Sequence, residues 1–168
     1  MHAYLNQHPQ IFLPPVKEIH FFDTSYERGI SWYKSHFPLK WSHPNTVCGE
    51  ASPYYLFHPH VPNRVHRHCQ DVKLIVLLRN PADRAYSHYM MQKFRKYDNI
   101  PTFEEAIEKE EERIGEEYDK LVSDPGYKSL KLQQHSYLAR GKYFTQIKNW
   151  LQYLYPFYQP RLDNISAV

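Results

Sequence analysis

Two side chains that can hold an anion, Arg79 and Ser87, follow the most apolar run of the chain. That run, residues 74–78, has the length and composition of a strand buried on both faces of a parallel sheet. Asn80 is a helix-capping residue followed by a proline, so a helix is predicted to begin there. Ligands bind at the carboxyl ends of such strands, and the free N–H groups of a helix start favour anions. The pattern predicts a phosphate site; the alternative is a plain turn in which Arg79 and Arg84 pair with acids and Ser87 is solvated.

A second group with chemical potential is the carboxylate of Glu18 with the imidazole of His20. Residues 18–23 alternate and are rich in aromatics, which predicts a short strand. On a strand Glu18 and His20 project to the same face and share one cleft, where they could move a proton. The alternative is that Glu18 pairs with Lys17 or Lys34 while His20 packs among aromatic side chains, because isolated pairs of this kind are common.

Periodicity and turn residues place these groups on alternating strands and helices. The predicted helices are 29–37, 61–68, the segment after Asn80, the segment after Thr102 and 143–155, and a further short strand is predicted at 46–50. This βαβ-like order is typical of an α/β domain.

Length and composition indicate one domain spanning residues 1–168, large enough to bury a core. The formal charge of +3, from 21 Lys and Arg against 18 acids, is too slight to argue for nucleic acid as a partner. No run approaches the roughly 18 apolar residues of a membrane span, and the N-terminal residues lack the features of a signal peptide. Because these signals are absent, we expect a cytoplasmic location, and the 2 cysteines fit a reducing compartment at least as well as a disulfide framework.

A cluster of potential metal ligands lies between residues 58 and 69. It consists of His58, His60, His66, His68 and Cys69, and imidazole and thiolate groups at such density suit Zn²⁺. Prolines interrupt the stretch, however, and His66 and His68 would face different sides of the predicted helix. We expect surface histidines and no metal.

An acidic run extends from Glu108 to Glu117. Before it, Thr102 with Glu105 has the form of a capping box, and an apolar stripe that includes Ile114 continues along the helix. The acids then occupy the opposite face. We expect that face to be solvated rather than to hold a metal or an acceptor.

The turn after residues 74–78 resembles the 3′-phosphate-binding motif of sulfotransferases, which use 3′-phosphoadenosine 5′-phosphosulfate (PAPS). The matching residues are Arg79, Pro81, Arg84, Ser87 and Tyr89. The resemblance implies that Arg79 and Ser87 hold the 3′-phosphate of the nucleotide.

The Glu-x-His-Phe-Phe-Asp sequence of residues 18–23 resembles an element of the heparan sulfate type of sulfotransferases. The resemblance implies that Glu18 is the general base and that His20 assists catalysis in the acceptor site. It also implies that Asp23 binds the substrate.

Two further stretches resemble the same family, particularly its bacterial members. Residues 49–55, Gly-Glu-Ala-Ser-Pro-Tyr-Tyr, resemble a segment on the acceptor side, which makes Tyr54 a substrate-binding candidate; a proline turn with packed tyrosines is the alternative. The Arg-Gly-x-Tyr element of Arg140 and Tyr143 implies contact with the nucleotide. Trp150, which completes this element, is expected in the core.

The sequence also departs from the family. The 5′-phosphosulfate loop, a Gly- and Thr-containing turn with a lysine, has no counterpart in it, and such loops supply anion binding and transition-state stabilisation. Residues 162–168 do not resemble the closing strand of the family. We therefore expect a three-layer, P-loop-NTPase-like sulfotransferase fold with a parallel sheet. The fold is expected to be truncated at its N-terminus, and truncation at its C-terminus is an open alternative.

The resemblance implies transfer of a sulfuryl group from PAPS to a hydroxyl or amine, with a carbohydrate among the candidate acceptors. Adenosine 3′,5′-bisphosphate would leave, and no metal would take part. The sequence keeps two alternatives open: a non-catalytic remnant that binds nucleotide weakly or serves as an interaction module, and a kinase-like phosphate-binding protein. It does not identify the acceptor.

Overall fold

The structure is a computed structural model that describes residues 2–39 and 45–154. In chain order the elements are α1 (His2–Leu5), β1 (Ile11–Phe12), α2 (Phe21–Thr24), α3 (Gly29–Lys34), β2 (Val47–Cys48), α4 (Val61–His68), α5 (Pro81–Phe94), α6 (Phe103–Glu108), α7 (Glu110–Ser123), α8 (Leu130–His135) and α9 (Tyr143–Leu154). Short 3₁₀ helices span Tyr26–Arg28, Pro53–Leu56 and Ala139–Gly141. Two sequence predictions, that the last helix reaches Tyr155 and that 162–168 departs from the family, lie outside the described residues.

Helix starts are where the sequence predicts them. The Asn80 side chain accepts hydrogen bonds from the N–H groups of Ala82 and Asp83 at the start of α5. At the start of α6, Thr102 accepts one from the N–H of Glu105. Each such cap stabilises a helix by about 1 kcal/mol and depends only on neighbouring residues, which explains why both were predictable.

The strands β1 and β2 pair in parallel, Ile11 with Val47 and Phe12 with Cys48. Helices α2 and α3 lie between them in the chain, so the unit has the crossover that parallel strands need. The strand predicted at 46–50 is confirmed as β2, whereas β1 was not predicted. The parallel pair agrees with the expected α/β class.

Residues 74–78 do not form the predicted buried strand. They carry no regular secondary structure, and each of these residues is between 39% and 71% exposed. One side of the segment meets α9, where Val76 shares a groove with Ile147 and Trp150. A strand is buried on both faces only when neighbouring strands and helices cover it, and β1 and β2 pair with each other. Local composition indicated the apolar character correctly, but the pairing depends on distant segments.

Residues 18–23 are not a strand either. Glu18 and His20 both have φ of 54°, in the left-handed region, and α2 begins immediately after His20. A non-glycine residue in this region costs about 1–3 kcal/mol, so contacts with other segments must hold it. The two left-handed residues, and not strand alternation, bring Glu18 and His20 together.

The core behind this segment is aromatic. Phe21 and Phe22 of α2 pack against Val61 and Val65 of α4 and against Trp150 of α9. Burial of a phenylalanine contributes about 1.5–3 kcal/mol, whereas a helix as short as α2 is unstable on its own. Packing therefore fixes α2, and Trp150 is a core residue as expected.

The acidic run of α6 and α7 is only partly solvated. Glu110 is 5% exposed and accepts hydrogen bonds from the N–H groups of Leu138 and Ala139 at 2.6 and 2.8 Å. Glu117 accepts one from the hydroxyl of Ser129 at 2.6 Å. The predicted solvated face is correct for the exposed acids of the run and wrong for Glu110, because backbone groups 28 residues further along the chain need its carboxylate.

Within residues 2–39 and 45–154 no helix is both long enough and apolar enough to cross a bilayer. Cys48 and Cys69 are free thiols. The cytoplasmic location stays a prediction.

Candidate functional site

His20 lies between two carboxylates at the start of α2. Its Nδ1 is 2.7 Å from Oδ2 of Asp23, and its Nε2 is 3.3 Å from Oε2 of Glu18. The hydrogen bond to Asp23 is the main reason why the pKa of His20 is raised; the negative charges of Asp23 and Glu18 also raise it, while burial opposes them. The Asp23 side chain has no exposed surface, whereas that of Glu18 is 54% exposed. The structure thus brings Glu18, His20 and Asp23 together. Substrate binding by Asp23 stays a prediction, and the complete burial of its side chain does not favour a direct contact.

Arg64, a residue to which the sequence assigned no role, fixes the backbone behind these carboxylates. Its Nη1 donates to the C=O groups of Phe22 and Asp23 at 2.6 and 3.0 Å, and its Nη2 donates to the C=O of Pro125. The guanidinium also lies over the ring of Tyr26, 4.5 Å from its centre. The helical pattern of α4 gives no signal for this role, since only the three-dimensional structure shows that Arg64 is buried.

Arg79 and Ser87 are exposed at the start and on the second turn of α5. Neither side chain forms a hydrogen bond or an ion pair within the part of the chain that the structure describes, so the alternative in which an acid neutralises Arg79 is not observed there. Arg84 donates from Nη2 to the C=O of Tyr137, and its Nε is buried without a hydrogen-bond partner among the same residues. Burial lowers the pKa of Arg84, and the nearby positive charge of Arg79 lowers it further.

The start of α5 does not offer the free N–H groups that the sequence predicted. Pro81 has no N–H, and the Asn80 side chain accepts from Ala82 and Asp83. The next N–H, that of Arg84, donates to the C=O of Asn80. The prediction was wrong because the residue that caps the helix uses the same donors. The N–H groups of Ala82, Asp83 and Arg84 are therefore not available to an anion at this turn.

Arg140 lies close to both groups of candidate residues. It interacts with Glu18 and Asp23 and with Arg84 near the start of α5. Its guanidinium is 4.6 Å from the ring centre of Tyr54, its Nε donates to the hydroxyl of Ser136, and its Nη2 donates to the C=O of Gln133. Burial lowers the pKa of Arg140 to about 10, so the side chain keeps its charge at neutral pH. Tyr54 is 4% exposed and serves as the stacking surface for this cation. Its contact with an acceptor stays a prediction.

Tyr143, the first residue of α9, lies near Arg84 and raises the pKa of that guanidinium. Arg84 also lies close enough to Arg140 to lower its pKa. Arg79, Arg84 and Arg140 therefore form one cationic region beside Tyr143. Arg84 belonged to the matching motif but had no assigned role, and its buried, unpaired Nε is a feature that only the structure shows.

The potential metal ligands between residues 58 and 69 do not converge. His66 and His68 are exposed, as expected, but His58 is 2% exposed, so the prediction of surface histidines is wrong for His58. Burial lowers the pKa of His58 to about 4. Across the described ranges no group of three or more His, Cys, Asp or Glu residues could hold a metal ion.

Comparison with known proteins gives concordant matches. Residues 1–161 match the family model of the sulfotransferase domain. The membrane-associated sulfotransferase kil1 of Dictyostelium discoideum is 37% identical over 117 residues, which cover 66% of this chain and 25% of that protein. Heparan sulfate glucosamine 3-O-sulfotransferase 5 of Mus musculus is 29% identical over 151 residues, 89% of this chain and 39% of that protein.

The crystal structure of a sulfotransferase from Alicyclobacillus acidocaldarius resembles this one with a TM-score of 0.71 and 32% identity, covering 91% of this chain and 62% of that chain. This chain spans 25% and 39% of the length of the two curated relatives. The structural likeness confirms the expected P-loop-like α/β fold. Because the family model matches residues 1–161, this chain belongs to the sulfotransferase family.

Proposed function

We propose that this chain transfers a sulfuryl group from PAPS to a hydroxyl or amine of a carbohydrate. The observation that carries the proposal is the group formed by Glu18, His20 and Asp23, in which an accessible carboxylate is backed by an imidazole and a buried acid. Relatives named as heparan sulfate glucosamine 3-O-sulfotransferases support a carbohydrate acceptor. Membership of the sulfotransferase family does not favour the kinase-like alternative.

In the proposed reaction, the acceptor atom forms a bond to sulfur while the bond from sulfur to the bridging phosphate oxygen breaks. Glu18 takes the proton of the acceptor, and adenosine 3′,5′-bisphosphate leaves. The exposure of Glu18 lets an acceptor approach, and His20 at 3.3 Å restricts the rotation of the Glu18 carboxylate. Asp23 holds the other side of the His20 ring.

The donor fits the cationic region at the start of α5. Arg79 and Ser87 are both accessible there and have no competing partner among the described residues, as a site for the 3′-phosphate requires. Arg79 and Arg84 repel each other, and a bound phosphate would relieve that repulsion. Arg140 and Tyr143 lie close to Arg84 in the same region.

A cleft of about 600 Å³ is lined by Asp23 but not by Glu18 or His20, so within this proposal it holds a part of the saccharide other than the reacting group. Its lining includes His60, Arg67 and Lys128, whose side chains suit a sulfated or carboxylated saccharide. The exposed ion pair between Lys128 and Glu27 at its rim is weak enough to open for such a ligand.

The test is transfer of labelled sulfate from PAPS to a heparan-type oligosaccharide by the wild type and by Glu18→Gln. General-base catalysis contributes about 10²–10⁴-fold, so we expect kcat to fall at least 100-fold in the variant. The matched control is Glu108→Gln, which changes an exposed acid of α6. Equal turnover of Glu18→Gln and the control would remove Glu18 as the base. A wild type that binds the nucleotide without turnover would favour the non-catalytic remnant.

A further inference from the structure

Glu50, a half-buried acid with no assigned role, accepts hydrogen bonds from the hydroxyl groups of Ser52 and Tyr55, and the Tyr33 hydroxyl also interacts with its carboxylate. The Ser52 hydroxyl donates to its Oε2 and the Tyr55 hydroxyl donates to its Oε1, both at 2.8 Å. Each oxygen of the carboxylate thus binds a different side chain. A hydroxyl has a single proton, so these bonds fix where the lone pairs of Ser52 and Tyr55 point.

Those lone pairs accept backbone N–H groups of the segment that carries the candidate catalytic residues. The N–H of His20 donates to the Ser52 hydroxyl at 3.3 Å, and the N–H of Phe22 donates to the Tyr55 hydroxyl at 3.2 Å. The hydrogen bonds from Glu50 through Ser52 and Tyr55 therefore extend to the backbone N–H groups on both sides of Phe21. These groups lie between the residues that carry the His20 and Asp23 side chains.

The segment needs such support. The first N–H groups of any helix lack partners within it, and α2 has no side-chain cap at His20. Glu18 and His20 also occupy the left-handed region, which is unfavourable for residues with a side chain. The two hydroxyls satisfy donors at a strained turn that no neighbouring residue satisfies, and Glu50 keeps both hydroxyls in the accepting orientation.

We propose that Glu50 is a positioning residue that holds Glu18, His20 and Asp23 in their catalytic arrangement through Ser52 and Tyr55. This inference rests on the proposed function. It assigns Glu50 no contact with the donor or the acceptor. Its loss should therefore lower kcat and leave KM for PAPS nearly unchanged, because a misplaced general base slows the chemical step.

The first test is Glu50→Gln in the whole chain, with Glu108→Gln as the matched control. A glutamine has one accepting oxygen, so it can keep only one of the two hydroxyls in place. We expect kcat to fall about tenfold to hundredfold with KM for PAPS within about twofold. Ser52→Thr, which keeps a hydroxyl, should retain more activity than Ser52→Ala.

The second test needs no turnover. Amide hydrogen exchange should accelerate for His20 alone in Ser52→Ala, for Phe22 alone in Tyr55→Phe, and for both in Glu50→Gln. In Glu50→Gln the imidazole resonances of His20 should also titrate at lower pH, because the ring moves away from Asp23. If Glu50→Gln fails to fold, Ser52→Ala and Tyr55→Phe test the positioning role instead, through the same exchange pattern and through their kcat.

The outcomes are distinguishable. Unchanged protection of both amides in Glu50→Gln, or lost protection with an unchanged kcat, would overturn the inference. A wild type without sulfotransferase activity would defeat the proposed function, and in that case the exchange pattern and the His20 titration would still support or reject the positioning role.

Discussion

Nδ1 of His20 lies 2.7 Å from Oδ2 of Asp23, and the Asp23 side chain has no exposed surface. Water cannot screen the Asp23 charge there, so Asp23 raises the pKa of His20 and favours its protonated form next to Glu18. The two acids of this group consequently differ in role. Asp23 is committed to His20, whereas Glu18 is half-exposed and can meet an acceptor.

Asp23→Asn should lower the pKa of His20, because the hydrogen bond to this carboxylate is the largest cause that raises it. In the wild type the interaction is fully present below the unfolded-state pKa of about 6.5 and is lost as pH rises through the raised folded value. In the variant His20 should lose its proton at lower pH. Imidazole NMR titration measures this, with Asp119→Asn, at an exposed position of α7, as the control. An identical His20 titration in both variants would contradict the assignment.

Arg79→Ala should weaken binding of adenosine 3′,5′-bisphosphate. Hydrogen bonds to charged groups contribute about 1.5–3 kcal/mol, which corresponds to a rise in Kd of roughly tenfold to hundredfold. The control is Arg95→Ala, which removes an exposed cation at the other end of α5 and should leave Kd unchanged. Calorimetric titration of the two variants, at two salt concentrations, measures the Kd of each. Equal Kd for the two variants would show that the 3′-phosphate does not bind at Arg79.

Features that depend on adjacent residues were predictable from the sequence. The caps at Asn80 and Thr102 are examples, since each side chain bonds to N–H groups two or three residues later. The candidate site residues were predicted on other grounds. Spacing alone suggested Glu18 and His20, and resemblance to a family added Asp23 and Arg140.

The predictions that were wrong concern residues whose partners lie far along the chain. The left-handed turn at His20 is held by a hydroxyl 32 residues away, and no local pattern indicates that Ser52 will supply it. The composition of residues 74–78 predicts a strand because it shows that the segment is apolar, but it does not show whether a neighbouring strand pairs with it. The helical pattern predicts a solvated Glu110 because the N–H groups that bind its carboxylate lie 28 and 29 residues later.

Glu110→Gln should destabilise the fold. The Glu110 carboxylate accepts hydrogen bonds from the N–H groups of Leu138 and Ala139, one on each oxygen. A glutamine side chain has one accepting oxygen, so its NH₂ group would face the other N–H and leave that donor unpaired. A buried donor left unpaired costs about 1–3 kcal/mol. Urea unfolding at neutral pH measures the loss, with the exposed Glu112→Gln as the control. A loss no larger than that of Glu112→Gln would mean that Glu110 does not support this turn.

His58 should make the fold sensitive to acid. Burial and the nearby charge of Arg64 lower its pKa from 6.5 to about 4, so the unfolded chain takes up a proton in this range while the folded chain does not. The stability contributed by neutral His58 is therefore complete above pH 6.5 and is lost as pH falls toward 4. Between pH 7 and pH 5 the loss amounts to about 2 kcal/mol. His58→Gln should remove that part of the pH dependence in urea unfolding, whereas the exposed His66→Gln should retain it. If both variants lose stability equally between the two pH values, another group causes the acid sensitivity.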